Sequence, residues 1–164
     1  YKGKNNFVAH ECILDFRDLK SKTGLSVNDL AKRLIDYSFH APTISWPVPE
    51  TIMIEPTESE SLVELDRFCE AMLLIGEEIS EIEKNVALKN NNVISNAPHT
   101  LKELIADNWQ YPYSKEKASF PYKTPTTIKF WSSVSRINNA YGDRNLICSC
   151  NVNQDETLEE KKCA

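Results

Sequence analysis

The sequence predicts an α+β domain in which helices pack on one face of a sheet. Strand-like segments with alternating apolar residues are separated by helix-like segments with apolar residues every three or four positions. The length of 164 residues corresponds to about one domain. Hydrophobic residues make up 41% of the chain and charged residues 26%, which is typical of a folded protein and too apolar for a disordered one.

The N-terminal part of the chain predicts a strand followed by a helix. The strand is expected over residues 7–16, and a turn is expected at 23–24. Ser26 is a favourable N-cap for the helix, and Asp29 stands three residues later, where a capping-box side chain reaches back. The helix should end near Tyr37, ahead of a proline that disfavours helical backbone. Its apolar face contains Val27, Leu30, Ala31, Leu34 and Ile35.

The middle of the chain predicts a loop, a strand and the longest helix. Residues 39–49 are rich in proline and aromatic residues and are expected to form the loop, and the short strand is expected over 51–55. Ser59 or Ser61 then opens a helix that runs to about Asn85. Its apolar positions are Leu62, Leu65, Phe68, Cys69, Met72, Ile75, Ile79 and Ile82. The opposite face is expected to be solvated and contains Glu64, Arg67, Glu70, Glu77, Glu78 and Glu81.

The following segment predicts less regular structure. Thr100 and Glu103 form the pattern of a capping box for a short helix over 101–107. The segment 109–131 is expected to be irregular because prolines interrupt it, and a last strand is expected over 146–150.

Composition and charge limit the possible functions. The predicted domain covers residues 1–150, and the polar tail 151–164 is expected to be disordered. The net charge of −5 argues against non-specific nucleic-acid binding, which needs an excess of lysine and arginine. No apolar run approaches the roughly 20 residues of a membrane span. Because position 1 is not a methionine, the chain is expected to be part of a longer protein.

The first candidate site is the loop that contains His40 and Thr43. Prolines stiffen this loop, and a stiff loop is a suitable support for an acid-base or hydrogen-bonding group. The alternative is that His40 is a half-buried packing residue.

A second candidate stretch lies nearer the C-terminus. Arg136 and Arg144 carry the guanidinium fork that binds a carboxylate or phosphate, and the alternative is an internal ion pair with Asp143. Residues 141–144 are expected to form a tight turn, in which Gly142 supplies a positive φ if one is needed.

The five cysteines are Cys12, Cys69, Cys148, Cys150 and Cys163. Their odd number and wide scatter fit a reducing compartment better than a secreted disulfide framework. Cys148 and Cys150 are spaced more closely than a usual zinc pair, and no metal site is predicted. A redox element at these two thiols remains an alternative to small residues near a strand end.

Seven short motifs carry a resemblance to a known family. They are HECILD at 10–15, YSFHAPT at 37–43, MIEPTESES at 53–61, ELDRFC at 64–69, NAPHT at 96–100, PYS at 112–114 and YGDRNL at 141–146. In this order they resemble the C-terminal domain of the P-protein of the glycine cleavage system, a glycine dehydrogenase that decarboxylates glycine. The resemblance covers about residues 7–150, and its second and third motifs are highly specific at these spacings.

The sequence departs from the family pattern in turns and loops. Ser38 and Glu50 stand where the family usually has glycine, and Ser132 and Ser133 follow Trp131 where a proline is usual. These departures do not change the assignment.

The resemblance implies a fold-type I enzyme that depends on pyridoxal 5′-phosphate (PLP), decarboxylates glycine and passes the aminomethyl group to the lipoyl arm of H-protein. It also implies that this chain is the small domain, that an upstream large domain accompanies it, and that the protein forms homo-oligomers. The family occurs in the mitochondrial matrix and in bacterial cytoplasm. Its Schiff-base lysine follows a histidine, and no His-Lys pair occurs here. The lysine and most phosphate contacts are therefore expected upstream, and the isolated chain is expected to be inactive.

The resemblance also suggests roles for the candidate residues. His40 and Thr43 are expected to line the entrance or wall used by substrate or the lipoyl arm, with Arg136 and Arg144 as further pocket candidates. A thiol in the 148–150 stretch is a candidate redox partner for an upstream cysteine. The alternative from another class is a non-catalytic α+β ligand-binding or regulatory module, and a third is a homo-oligomerisation domain.

Overall fold

The computed structural model describes residues 1–122 and 129–147. Its sheet has three strands, β1 (Cys12–Asp15), β2 (Thr43–Ile44) and β3 (Thr51–Ile54), in the spatial order β1-β3-β2. Both pairs are antiparallel, with Ile13 opposite Met53 and Thr43 opposite Met53 from the other side. The described helices are α1 (Leu19–Thr23), α2 (Val27–Asp36), α3 (Leu62–Glu83), α4 (Leu101–Ile105), α5 (Lys115–Ser119) and α6 (Asn139–Arg144). The predicted α+β class is confirmed.

Both predicted capping boxes are confirmed. At the start of α2, the carboxylate of Asp29 accepts a hydrogen bond from the N–H of Ser26 at 2.7 Å. At the start of α4, the N–H of Thr100 donates to Oε2 of Glu103 at 2.8 Å, and the N–H of Glu103 donates back to the Thr100 hydroxyl at 3.2 Å. These local pairs satisfy N–H groups that lack partners in the first turn of a helix. Helix α2 ends as predicted, with Tyr37 as its C-cap.

The longest helix, α3, begins after Ser61, whose hydroxyl accepts from the N–H of Glu64 at 3.2 Å. It ends in a Schellman motif. The N–H of Asn85 donates to the carbonyl of Ile82 at 3.0 Å, and the N–H of Val86 donates to the carbonyl of Glu81 at 2.8 Å. Among the described helices, neither α3 nor any other is long and apolar enough to cross a membrane.

Replacing Asn85 with glycine is expected to raise the free energy of unfolding by about 0.5–1 kcal/mol. Asn85 has φ = 58°, in the left-handed region that glycine adopts without steric cost. Lys84 precedes it with φ = −83°, so Lys84→Gly is a matched control that should instead lower stability by a similar amount. Urea unfolding of the three proteins measures both values, and stabilisation by both substitutions would contradict the assignment of the motif.

The hydrophobic core lies between one face of the sheet and helices α2 and α3. Ile52 on β3 is fully buried, and Ile44 and Ile54 pack on the same face. The buried helix residues of this core include Leu30, Leu34, Ala71, Leu74, Ile75 and Ile82. Because side chains alternate along a strand, Thr43 and Met53 lie on the opposite face, away from these helices.

Several sequence predictions were wrong in extent. The strand predicted over 7–16 is only the four residues of β1, and the segment before it begins with a 3-10 turn at residues 4–6. Phe7 and Val8 are exposed, so no burial on one face enforces an extended pairing there. The loop predicted over 39–49 contains β2, which has only two residues.

Three short helices were not predicted. The turn expected at 23–24 is the end of α1, which Gly24 caps in left-handed backbone with φ = 82°. The segment 109–131 contains α5, which begins after Ser114. Residues 141–144 belong to α6 rather than to a tight turn, and Gly142 does not have a positive φ. The side chain of Asn138 caps α6 by accepting from the N–H of Tyr141 at 3.0 Å. Leu146 lies outside any strand, and the rest of the strand predicted over 146–150 falls outside the described residues, as does the 151–164 tail.

Ser38 and Glu50, the two positions where the resemblance leads us to expect glycine, both adopt left-handed backbone, with φ values of 66° and 56°. Each side chain makes a hydrogen bond that glycine lacks. The Ser38 hydroxyl accepts from the N–H of Phe130 at 3.0 Å, and the Glu50 carboxylate accepts from the N–H of Val27 at 3.3 Å. These bonds offset part of the steric cost of roughly 1–2 kcal/mol for each such residue.

Candidate functional site

The loop after α2 is fixed in place by contacts with α3. Arg67 of α3 donates to the carbonyl of Tyr37 at 2.9 Å, and its guanidinium lies 3.8 Å from the ring centre of Phe39. The rings of Phe39 and Phe68 meet edge to face, with centroids 5.1 Å apart. These contacts connect two of the motifs, YSFHAPT and ELDRFC, and they fix the backbone of the loop where it leaves α2.

His40 and Thr43 project from this anchored loop into solvent. Nδ1 of His40 lies 3.1 Å from the carbonyl of Ala41, and the ring is exposed, so the alternative of a half-buried packing residue is wrong. Thr43 is exposed on the outer face of the sheet, opposite Met53. The pair therefore has the exposure that contact with a ligand requires, on a support with little freedom.

Arg136 is engaged within the domain. Its guanidinium forms an ion pair with Asp29 and donates to the carbonyl of Ala97 at 3.3 Å. The partner is therefore Asp29 rather than Asp143. Arg144 lies in the last turn of α6 and is exposed. Among the described residues, no hydrogen bond or ion pair joins these arginines to the His40 loop.

The redox candidates Cys148 and Cys150 lie outside the described residues, so the redox hypothesis stays a prediction. Cys12 and Cys69 are free thiols in the described part of the chain. Burial raises the pKa of the Cys12 thiol, which makes it a weaker nucleophile at neutral pH.

Within residues 1–122 and 129–147, no group of three histidine, cysteine or carboxylate side chains forms a possible metal site.

A buried polar network centred on Arg33 was not predicted from the sequence. The Arg33 side chain is fully buried and forms a two-pronged ion pair with Glu78, at 3.0 Å from Nε and 2.6 Å from Nη2. It also donates to Asp36 at 2.8 Å and to the carbonyls of Ala118 and Lys117 at 2.7 and 2.8 Å. Both carboxylates contact the guanidinium, and all three side chains have hydrogen-bonding partners, as burial requires.

The predicted division of α3 into an apolar and a solvated face was wrong at several positions. Leu62 and Cys69 of the predicted apolar face are exposed, and Arg67 of the predicted solvated face is half-buried against Phe39.

Glu78 was expected in solvent, but only 6% of its surface is exposed. It lies three residues after Ile75 and four before Ile82, so it belongs to the apolar face and not to the solvated one. That spacing, together with Arg33 on the inner face of α2, is the signal that could have identified the pair.

A second branch of the network runs through His99. The N–H of His99 donates to one oxygen of Asp36 at 2.7 Å, and its ring nitrogen Nδ1 lies 2.8 Å from the other. Nε2 lies 2.8 Å from the hydroxyl of Tyr113. A neutral imidazole with its proton on Nδ1 satisfies all of these contacts, with Asp36 accepting and the Tyr113 hydroxyl donating. Burial raises the pKa of Tyr113, so this hydroxyl keeps its proton.

The chemistry of the network is that of a support. Arg33, Asp36, Glu78 and His99 are all almost fully buried, and each has hydrogen-bonding partners within the chain. The network connects α2, α3, the NAPHT segment and α5, and it lies directly before the loop that carries His40. We interpret it as the element that fixes the loop relative to α3.

Lys129 is expected to make stability depend on pH. Its ammonium donates to the carbonyl of Asp36, and desolvation lowers its pKa from 10.5 to about 8, with a further contribution from the charge of Arg33. Between these two pH values the unfolded chain binds more protons than the folded one, so the free energy of unfolding should rise as pH increases from 8 to 10. Urea unfolding at both pH values tests this, and Lys129→Met should remove the rise.

The described residues do not form a site for PLP. Such a site needs a lysine amine, a phosphate cradle and a partner for the ring nitrogen. The buried cation Arg33 is fully occupied by carboxylates and carbonyls, and Lys129 is bonded to the carbonyl of Asp36. The four glycines, Gly3, Gly24, Gly76 and Gly142, are scattered and form no cradle.

Comparisons with known proteins identify a consistent set of relatives. The family model described as glycine dehydrogenase, C-terminal domain, matches residues 1–99. The chain is 60% identical over 155 residues to a glycine dehydrogenase (decarboxylating) of Prochlorococcus marinus strain NATL1A, covering 94% of this chain and 16% of that protein. It is 58% identical over 152 residues to a mitochondrial glycine dehydrogenase (decarboxylating) of Dictyostelium discoideum, covering 92% of this chain and 15% of that protein. The chain thus spans about one sixth of the length of the curated relatives it matches.

Proposed function

The chain belongs to the family of glycine dehydrogenase C-terminal domains, and from this premise we propose that it forms the C-terminal part of a glycine decarboxylase. The observation that carries the proposal is an identity of 57–60% to relatives named glycine dehydrogenase (decarboxylating), over more than nine tenths of the chain. The whole protein decarboxylates glycine and transfers the aminomethyl group to the lipoyl arm of H-protein. It operates in the mitochondrial matrix or in bacterial cytoplasm, as a homo-oligomer.

In this proposal the chain is the small domain of a fold-type I enzyme and does not hold PLP itself. The engagement of Arg33 and Lys129 within the fold supports this division, because neither cation is free for a phosphate. The Schiff-base lysine and the phosphate contacts belong to the upstream large domain. This chain contributes a preformed surface that closes one side of the active-site cleft formed with the large domain.

The surface that we assign to this role is centred on His40 and Thr43. Both side chains are exposed, and the loop that carries them is anchored by Arg67 and Phe39. Arg144 is a further candidate for binding a carboxylate, because its guanidinium is exposed. Arg136 is paired with Asp29, so in this proposal it holds its own segment against α2 and does not bind substrate.

In the full-length enzyme, His40→Ala is expected to lower kcat/KM for glycine by about 3- to 10-fold, the loss of one neutral hydrogen bond. Steady-state decarboxylation with H-protein present measures the change. His10→Ala is a matched control, because His10 is also exposed but precedes the sheet. Equal kcat/KM values for the two variants would show that His40 is not part of the site.

Glycine-dependent exchange of labelled bicarbonate tests the proposed function in the whole protein. Full-length enzyme should catalyse the exchange with PLP and H-protein present, and a version that stops before Tyr1 should lose it. Exchange at an unchanged rate by the shortened enzyme would show that this chain serves another purpose.

A further inference from the structure

Strand β1 is an edge strand with outward-facing hydrogen-bonding groups. The N–H of Phe16 donates to the carbonyl of Glu50 at 3.0 Å, towards β3. Because these directions alternate along an antiparallel strand, the backbone groups of Leu14 also face β3, while those of Ile13 and Asp15 face the outer edge. The described part of the chain supplies no strand on that side.

One position on this edge is occupied by the first residue of the chain. The amino nitrogen of Tyr1 donates to the carbonyl of Ile13 at 2.8 Å. The Tyr1 side chain also contributes to the lowered pKa of the Asp15 carboxyl, mainly caused by Arg17, which places this side chain near Asp15 on the same edge. Between Tyr1 and β1 the chain reverses, with the N–H of Gly3 bonded to the carbonyl of Phe7 at 2.7 Å. Tyr1 therefore lies beside the outer edge of β1, and the reversal favours an antiparallel course for the backbone there.

We propose that the backbone immediately before Tyr1 in the longer protein continues along β1 as a fourth antiparallel strand. The inference rests on the proposed function, since it takes the chain to be part of a protein about six times its length, like its relatives. With Tyr1 opposite Ile13, the residue directly before Tyr1 lies opposite Leu14. The second residue before Tyr1 lies opposite Asp15 and exchanges two backbone hydrogen bonds with it.

The added strand supplies hydrogen-bonding partners for the outward-facing backbone groups of β1. Unpaired N–H and C=O groups at a sheet edge attract other chains, and proteins cover or pair them. The far end of β1 also borders an open cavity of about 510 Å3 that is lined in part by Asp15, Phe16 and Ile79. Leu19 of α1 and Glu83 of α3 also line this cavity, so upstream backbone that extends past Asp15 would lie beside these two helices.

Amide hydrogen exchange in the full-length protein tests the strand directly. The N–H of Phe16, which is bonded to Glu50, is an internal reference. The Asp15 amide should exchange within about tenfold of the Phe16 amide, because both lie in one cooperative sheet. An Asp15 amide that exchanges about 100-fold faster than that of Phe16 would overturn the proposal.

A proline substitution at the second residue before Tyr1 identifies the occupant of the edge. Proline removes the N–H that bonds to the Asp15 carbonyl, so Asp15 protection should fall by about tenfold or more while Phe16 stays protected. If Asp15 keeps its protection in this variant but loses it when dilution dissociates the oligomer, the edge pairs with a second copy and the proposal is wrong. Exchange does not depend on turnover, so an inactive protein with a protected Asp15 would reject the proposed function alone.

Discussion

Replacing Arg33 with methionine is expected to lower the free energy of unfolding by about 3–5 kcal/mol. The substitution keeps an unbranched side chain but leaves two carboxylates, Glu78 and Asp36, buried without their cation. Urea unfolding of the 164-residue chain measures the loss. The loss of stability comes from the carboxylates left buried without a cation, because an intact buried ion pair contributes little net stability by itself.

Two comparisons separate this explanation from a general loss of packing. Arg17→Met removes an exposed ion pair with Asp15 and should cost less than about 1 kcal/mol. Adding Glu78→Leu to Arg33→Met removes one of the stranded charges, so the double variant should be more stable than Arg33→Met alone. A double variant at least as unstable as the sum of its parts would show that Glu78 does not depend on Arg33.

Replacing His99 with phenylalanine is expected to lower the free energy of unfolding by about 2–4 kcal/mol. The ring volume is largely kept, but Oδ2 of Asp36 loses the bond from His99 while keeping the one from Arg33, and the half-buried hydroxyl of Tyr113 loses its bond to His99. A hydrogen bond to a charged group contributes about 1.5–3 kcal/mol and a neutral one about 0.5–1.5 kcal/mol. Thermal or urea unfolding measures the change.

Tyr113→Phe provides the matched comparison for His99. It removes only the hydroxyl at the outer end of the branch and should cost about 1 kcal/mol. In the double variant His99→Phe with Tyr113→Phe, the second substitution should cost little, because the hydroxyl has already lost His99. Full additivity of the two losses would contradict a direct bond between these residues.

The sequence predicted those features that depend on neighbouring residues. Ser26 with Asp29 and Thr100 with Glu103 each form a cap within one helical turn, so their identity is enough to place the helix start. The long helix was also predicted, because its apolar repeat extends over many turns. Strand β2 was missed because two residues carry no periodicity, and its pairing with β3 decides its structure.

Helix α6 was missed because Gly142 reads as a turn residue, although the Asn138 cap that fixes its start is local. Buried charges, in contrast, depend on contacts between residues that are far apart in the sequence. The bond between Arg33 and Glu78 joins residues 45 positions apart, and a charged pair of that kind has no local signature. His99 lies in a loop, so even its burial could not be inferred from a helical or strand repeat.

His40 and Thr43 were selected because prolines stiffen their segment, and the family resemblance then suggested their role. The structure places His40 exposed on the loop and Thr43 exposed on β2, and their role stays a prediction. The anchors that hold the loop, Arg67 and Phe39, were not selected, because a cation stacked on a ring across two elements leaves no pattern in sequence.

The most direct test of the central claim is glycine-dependent exchange of labelled bicarbonate by the two parts of the protein, expressed separately and together. PLP and H-protein are present in every sample. We expect no exchange by this chain alone, none by the upstream part alone, and exchange when the two are co-expressed. Full exchange by the upstream part alone, or none by a co-expressed pair that is folded and associated, would contradict the claim that this chain completes a glycine decarboxylase.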